Sequence, residues 1–327
     1  MTEFALLFPG QGAQFVGMGK DLAQAFPAAR ALFHQADALT GYGLSHLCWE
    51  GPAESLTRTE HCQPALYVTA LAALAALESA LSKGAGSLEG SKVPGQGLEP
   101  SAAAGLSLGE YTALAAAGAL SFTDGLKLVH LRGQAMEEAA RSRPGTMASI
   151  LGLERQAVEA ACGAAGAQVA NLNSPGQIVI SGTHESVAAA STRAREKGAK
   201  RVIPLEVGGA FHSRLMELAG QRLQQALAGV PIHMPRYPVL SNVTGGAHDS
   251  TGGIRRLLVE QLTQPVQWIA CVQAMLRSGI RTYIEVGPGT VLKGLVRKID
   301  PEATVHSAGT AEEIRNLAAA WGHAQSA

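Results

Sequence analysis

The sequence has no excess of charge of either sign: 26 Lys and Arg balance 26 Asp and Glu over 327 residues. That removes the electrostatic case for a nucleic-acid ligand or an anionic membrane, and leaves open only a local basic patch for an acidic protein partner. Cysteine is scarce. Cys48, Cys62, Cys162 and Cys271 are widely scattered and form no C-x-x-C pair. This excludes a disulfide framework and a thiolate metal site, and fits buried, inert thiols in a reducing compartment. Met1 to Pro9 lacks a basic leader and a cleavage site and reads as a buried first strand, so the expected location is cytoplasmic. The longest apolar stretch, 64–77, is too short to span a bilayer, and its alanine content fits a core helix. No internal repeat is present. With 46% hydrophobic and 16% charged residues, the chain has an ordinary globular balance, long enough for one large domain or two smaller ones.

Short apolar runs alternate with longer helical patterns, which predicts an α/β fold with a mostly parallel sheet. Strands are expected at 4–8, 102–105, 238–241, 282–286 and 304–306, and helices at 20–40, 64–81, 123–141 and 289–299. The stretch 82–100, rich in Gly, Ser and Pro, reads as a mobile surface loop. From about 145 to 207 the rhythm changes. Strand at 148–151, helix at 154–163, strands at 168–170 and 177–181, helix at 184–197 and strand at 201–205 give a βαββαβ order. That order predicts a small ferredoxin-like subdomain, 145–207, inserted into a larger α/β-hydrolase-like domain made of 1–144 and 208–316, with a cleft between them.

Gly105-Leu106-Ser107-Leu108-Gly109 lies between the apolar run Ala102-Ala103-Ala104 and a helical pattern that opens at Glu110. It reads as a nucleophile elbow, a serine on a sharp strand-to-helix turn, with flanking glycines where backbone passes closely. The N-terminus of the following helix would aim its amides at an oxyanion beside the serine. The same five-residue pattern also arises in ordinary loops, so it does not decide the matter alone. A serine hydroxyl needs a base at neutral pH, and histidine is the usual one. Of ten histidines, His212 stands out, because it begins the return from the βαββαβ segment and so borders the expected cleft.

Further segments recur in order: Phe8-Pro9-Gly10-Gln11-Gly12, Gln63-Pro64-Ala65-Leu66, Arg132-Gly133-Gln134-Ala135-Met136, Asn173-Ser174-Pro175-Gly176-Gln177, Ala210-Phe211-His212-Ser213, Pro265-Val266-Gln267-Trp268 and Glu285-Val286-Gly287-Pro288-Gly289. Together with the elbow they resemble the malonyl-CoA:acyl carrier protein transacylases and the related acyltransferase domains of polyketide synthases, over nearly the whole chain. The resemblance implies malonyl transfer from coenzyme A to the phosphopantetheine thiol of an acyl carrier protein, through a malonyl-serine ester, for fatty acid biosynthesis. It makes Ser107 the nucleophile and His212 the general base and later acid. The backbone amides of Gln11 and Leu108 become the oxyanion donors, and the Gln267 backbone carbonyl becomes the acceptor for the second imidazole proton. It places Arg132 against the free carboxylate of the malonyl group, where a guanidinium fork suits a carboxylate; for an arbitrary helical arginine the ordinary reading is a solvated charge. Gln63 and Asn173 match pocket-lining positions, or else hydrogen-bond a buried loop. Phe211 would crowd an α-methyl group, favouring malonyl over branched extenders. No metal, redox group or other cofactor is implied, and a monomer is expected.

Two positions depart from the commoner pattern. Leu106 occupies a position that is most often histidine, which removes a polar group from the acyl pocket. Arg214 replaces a commoner proline; it either meets coenzyme A phosphates or a carrier protein, or is a solvated surface charge. A Gly-Gln-Gly loop after a first strand also raises nucleotide binding, but the third glycine of that motif is absent. Three other readings remain: a stand-alone acyltransferase of a polyketide synthase, a serine thioesterase or acyl hydrolase, and a non-catalytic docking relative. A hydrolase would usually place an acid between the serine and a histidine near the C-terminus, whereas His212 lies mid-chain.

Overall fold

The structure, a computed structural model, describes residues 3–82 and 98–324. β1 (Phe4–Phe8) is followed by α1 (Lys20–Ala25), α2 (Pro27–Thr40), α3 (Leu44–Glu50), α4 (Ala53–Thr57) and the long α5 (Thr59–Ser82). Then come β2 (Ala102–Gly105), α6 (Leu108–Ala116) and α7 (Phe122–Ser142). A second group comprises β3 (Thr146–Leu151), α8 (Arg155–Gly163), β4 (Gln168–Ser174), β5 (Gln177–Gly182), α9 (His184–Glu196) and β6 (Arg201–Pro204). The chain continues through α10 (Glu217–Ala228), α11 (Thr251–Glu260), α12 (Trp268–Arg277), β7 (Thr282–Val286), α13 (Val291–Ile299), β8 (Thr304–Ala308) and α14 (Ala311–Ala324).

The expected α/β class holds, with two separate sheets. One is parallel throughout, in the order β2-β1-β7-β8, with Phe8 level with Gly105 at the end of β2. Side chains alternate across a strand, so Leu6 and Phe8 of β1 join one core cluster while Ala5 and Leu7 join another on the opposite face. Burial on both faces is the usual state of a parallel sheet and explains why these strands read as unbroken apolar runs. The second sheet is antiparallel, in the order β4-β5-β3-β6, and forms its own core with α8 and α9. It is stitched to the rest where Leu172 donates to the Val266 carbonyl at 2.9 Å and Val266 to the Ala170 carbonyl at 2.8 Å.

Two expectations change. The helix expected at 20–40 is two helices, because Phe26 is extended at φ −127° and ψ 113°. Pro27 disfavours helical geometry in the residue before it and opens a new helix at its own position. The strand expected at 238–241 contributes isolated bridges only, one from Val239 to Ala103 and one from Leu240 to Ala247. Pro238 has no N–H to donate, and the turn closed by Gly245 N–H on the Ser241 carbonyl ends the pairing. Of the surface loop expected at 82–100, residues 83–97 lie outside the described residues. The apolar stretch 64–77 sits within α5, whose 24 residues are long and apolar enough by composition to cross a membrane. However, 78% of its most apolar window is buried inside the protein, so α5 is built as a core helix.

Candidate active site

The serine sits where β2 ends and α6 begins. Ser107 has φ 52° and ψ −100°, and His212 has φ 54°; among the described residues these two are the only non-glycine residues at positive φ. Such strain persists only where surrounding structure holds it, and it concentrates at functional positions. The flanking glycines are sterically required: a methyl group on Gly105 would strike Gly109, and one on Gly109 would strike the Phe8 carbonyl. Asn242 brackets the turn, donating from Nδ2 to the Gly105 carbonyl at 2.8 Å and accepting the Ser107 N–H on Oδ1 at 2.6 Å.

Ser107 Oγ lies 2.8 Å from His212 Nε2. The other ring nitrogen, Nδ1, lies 2.7 Å from the Gln261 carbonyl. A carbonyl only accepts, so Nδ1 carries the proton and Nε2 presents its lone pair to the serine hydroxyl. The second partner of the histidine is therefore a backbone carbonyl and not a carboxylate. The residue supplying it differs from the sequence expectation. The Gln267 carbonyl accepts instead from Cys271 N–H at 3.0 Å, inside the first turn of α12, and the Gln267 N–H goes to the Asn242 carbonyl at 2.7 Å. Gln261 follows the last residue of α11, where helix geometry leaves carbonyls without an intrahelical partner, and that free carbonyl meets the imidazole.

Burial pushes the His212 imidazole down from 6.5 to about 4, and the nearby Arg132 charge pushes the same way, against the Gln261 carbonyl. The base is thus neutral throughout the near-neutral range. We expect the rate at which Ser107 reacts with an activated acyl ester to be flat from pH 8 to about 5 and to fall only near 4. Stopped-flow acylation across pH checks this; an inflection near 6.5 would mean an ordinary, solvated imidazole. The linkage has the same sign. The unfolded chain takes up this proton near 6.5 and the folded one near 4, so this group removes stability as pH falls through that interval and adds no further loss below it.

Arg132, on α7, is 1% exposed. Its Nη1 donates to Gln63 Oε1 at 2.7 Å, and its Nη2 donates to Gln261 Oε1 at 2.9 Å and to Ser107 Oγ at 3.1 Å. Its carbon lies 5.3 Å from the centre of the Tyr111 ring. Every one of these partners is uncharged, and Nε has no partner. Burial lowers the Arg132 pKa, but an arginine stays charged in a protein. The hydrogen-bond partners of this buried cation are all neutral, and the Glu110 carboxylate acts on it only through space, so an anion beside the nucleophile would pair with it directly.

The remaining expected residues fall as follows. Gln63 is fully buried and joins Arg132, as above. Leu108 opens α6 and so carries an N–H that the helix leaves free. The loop holding Gln11 lies against the elbow, for a methyl group on Gly10 would strike the Leu106 carbonyl. Leu106 is partly buried against the core cluster containing Leu240 and Trp268. Phe211 is buried in the main core beside Gly209. Asn173, on β4, is buried with Oδ1 unpartnered and is not hydrogen-bonded to Ser107, His212 or Arg132. Arg214 is exposed, and its N–H donates to Gln168 Oε1 at 2.9 Å. Sequence reasoning missed Gln261, Asn242 and His248, which carry no local signal, and left Glu110 without a role although it stands in the elbow motif.

A strained serine on a strand-to-helix turn, a neutral histidine on a backbone carbonyl and a buried guanidinium beside them define an acyl-transferring serine enzyme. The comparisons agree. The acyl transferase domain model matches residues 5–316, and the chain belongs to that family. The malonyl CoA-acyl carrier protein transacylase of Bacillus subtilis (strain 168) is 44% identical over 305 residues, covering 92% of this chain and 91% of that protein. The structure of the malonyl CoA-acyl carrier protein transacylase from Coxiella burnetii superposes with a TM-score of 0.89 at 36% identity, covering 97% of each chain. A malonyl-transacylase solved in complex with its type II polyketide synthase acyl-carrier protein superposes at 0.88, with 36% identity, covering 98% of this chain and all of the other.

Proposed function

We propose that the protein transfers malonyl from malonyl-CoA to the phosphopantetheine thiol of an acyl carrier protein, in two half-reactions through a malonyl ester on Ser107. The observation that carries the substrate class is Arg132: buried, charged, 3.1 Å from the nucleophile and without an anionic partner. A malonyl carboxylate pairs with that guanidinium and an acetyl group has nothing to pair with it. The names carried by relatives over nine-tenths of the chain support the same reading.

In the first half-reaction His212 Nε2 takes the Ser107 proton while Oγ attacks the thioester carbonyl. The resulting oxyanion sits against the amides of Leu108 and Gln11. Collapse breaks the C–S bond, and His212 returns the proton to the departing thiolate of coenzyme A. In the second, His212 deprotonates the carrier thiol, the thiolate attacks the serine ester, and Ser107 leaves with the proton. The imidazolium formed in each step rests on the Gln261 carbonyl, which fixes the tautomer without adding charge. Phe211, the residue before the base, would disfavour α-branched acyl groups by about 1–3 kcal/mol, the scale of one steric contact. The reaction moves an acyl group between thiols and needs no electron carrier or metal.

The parallel sheet with its serine at a strand-to-helix turn supports an α/β-hydrolase-like large part, 1–144 and 208–316. The βαββαβ order and antiparallel sheet support a ferredoxin-like insertion at 145–207. The balanced charge supports action away from nucleic acid and anionic membranes, and a cytoplasmic monomer is the form proposed. A fatty-acid role is the first reading; the polyketide carrier complex superposing on the chain favours a polyketide synthase role as the second. Loading Ser107 with labelled malonyl and adding holo-acyl carrier protein tests the proposal. Label should pass to the carrier thiol, and candidate carriers from each pathway then rank the two readings. Release mainly as free malonate would make the protein a hydrolase.

A further inference from the structure

Behind the catalytic groups lies a second buried layer centred on Glu110, three residues after the nucleophile on α6. Glu110 is 0% exposed, as are Asn242 and Gln261. One carboxylate oxygen, Oε2, accepts from Gln261 Nε2 at 2.6 Å and from the Asn242 backbone N–H at 3.0 Å. The other, Oε1, lies 2.9 Å from His248 Nε2. None of these atoms touches Arg132 or His212 directly.

A glutamine amide has two orientations of nearly equal shape, and its hydrogen bonds decide between them. Nε2 of Gln261 faces two groups that only accept, the Glu110 carboxylate and the Ser107 carbonyl at 3.0 Å. Its Oε1 therefore faces Arg132 Nη2, which only donates. The reverse orientation would set an NH2 group against the guanidinium. Asn242, tethered to the same carboxylate oxygen, grips the elbow at the Gly105 carbonyl and the Ser107 N–H. We propose that Glu110 is a positioning residue that keys the Gln261 amide and thereby holds Arg132 in register with Ser107, so that it sets acyl-group selectivity without touching substrate. This rests on the reading of Arg132 as the carboxylate clamp.

The test is single-turnover acylation of Ser107 by malonyl-CoA and, separately, by acetyl-CoA, followed by intact mass, with melting temperature measured alongside. Arg132→Ala calibrates the assay. In Gln261→Met, which keeps the backbone carbonyl for His212, the ratio of malonyl to acetyl rates should fall at least about tenfold, the size of a lost hydrogen bond to a charged group. Glu110→Ala should lower the ratio similarly and add nothing further in the Gln261→Met background, since both act through one contact. Glu110→Gln, whose amide oxygen still accepts from Gln261, should keep the ratio within about threefold of the parent, as expected when acceptor geometry is retained. A purely structural role would lower both rates together and leave the ratio alone; that result in Gln261→Met overturns the inference, even if Glu110→Ala fails to fold. So would a Glu110→Gln variant as unselective as Arg132→Ala. If Arg132→Ala itself leaves the ratio unchanged, it is the clamp reading that fails.

Discussion

His212→Ala slows acylation of Ser107 by malonyl-CoA by about 10²–10⁴-fold, the usual contribution of a positioned general base. The effect is large because, among the described residues, His212 is the one hydrogen-bond partner of the hydroxyl that can accept its proton. Arg132 Nη2, the other group on Oγ, is a donor and works against ionised imidazole while stabilising negative charge on the serine oxygen. Gln261, the residue behind the imidazole, offers a carbonyl and no carboxylate. Rapid-quench acylation with intact-mass detection measures the rate, and an unaltered melting temperature separates lost chemistry from lost folding. A loss below tenfold would mean that the 2.8 Å contact between His212 and Ser107 is not the proton path.

Arg132→Ala erodes the preference for malonyl over acetyl. Truncating one partner of a buried, hydrogen-bonded charge pair costs on the order of 2–5 kcal/mol. Malonyl transfer should therefore fall by roughly 30- to 4,000-fold, by the conversion of about 1.4 kcal/mol per decade. Acetyl transfer should fall far less, because an acetyl group never paired with the guanidinium and no longer has to leave a buried cation unpaired. Arg132→Lys should not restore malonyl transfer fully, since a point charge on a flexible stem cannot form the fork or span Gln63 and Gln261 together. Competition between the two thioesters in one reaction reads the ratio directly. Equal losses for both would remove Arg132 from substrate recognition.

Much of the fold was legible because its signals are local. β1, β2 and β7 are short, buried on both faces and bounded by Gly or Pro, so their limits match the expected runs. The spacing predicts every element of the antiparallel unit; β3, β4 and β5 extend beyond the expected limits into their turns, whereas α8, α9 and β6 are each one residue shorter. The 20–40 helix was misread because its apolar period continues across Pro27, although the proline restricts Phe26. The 238–241 strand was misread because apolar residues there pack beside β2 without the N–H groups to extend a ladder.

The site divides the same way. Ser107, His212 and Arg132 stand in motifs whose residue types announce their chemistry, and the structure brings the three together. The carbonyl behind His212 was assigned to Gln267, six residues from the glutamine that supplies it, because any residue has a carbonyl and only helix ends decide which is free. Glu110, Asn242 and His248 act through contacts spanning more than 130 positions. No spacing in the sequence encodes a bond of that range.

The central claim, covalent malonyl transfer through Ser107, is tested most directly by the intact mass of the protein after incubation with malonyl-CoA alone. The chain should gain one malonyl group, located by peptide mapping to Ser107, and Ser107→Ala should gain none. An unmodified chain under those conditions, or a malonyl group that persists in Ser107→Ala, would contradict it.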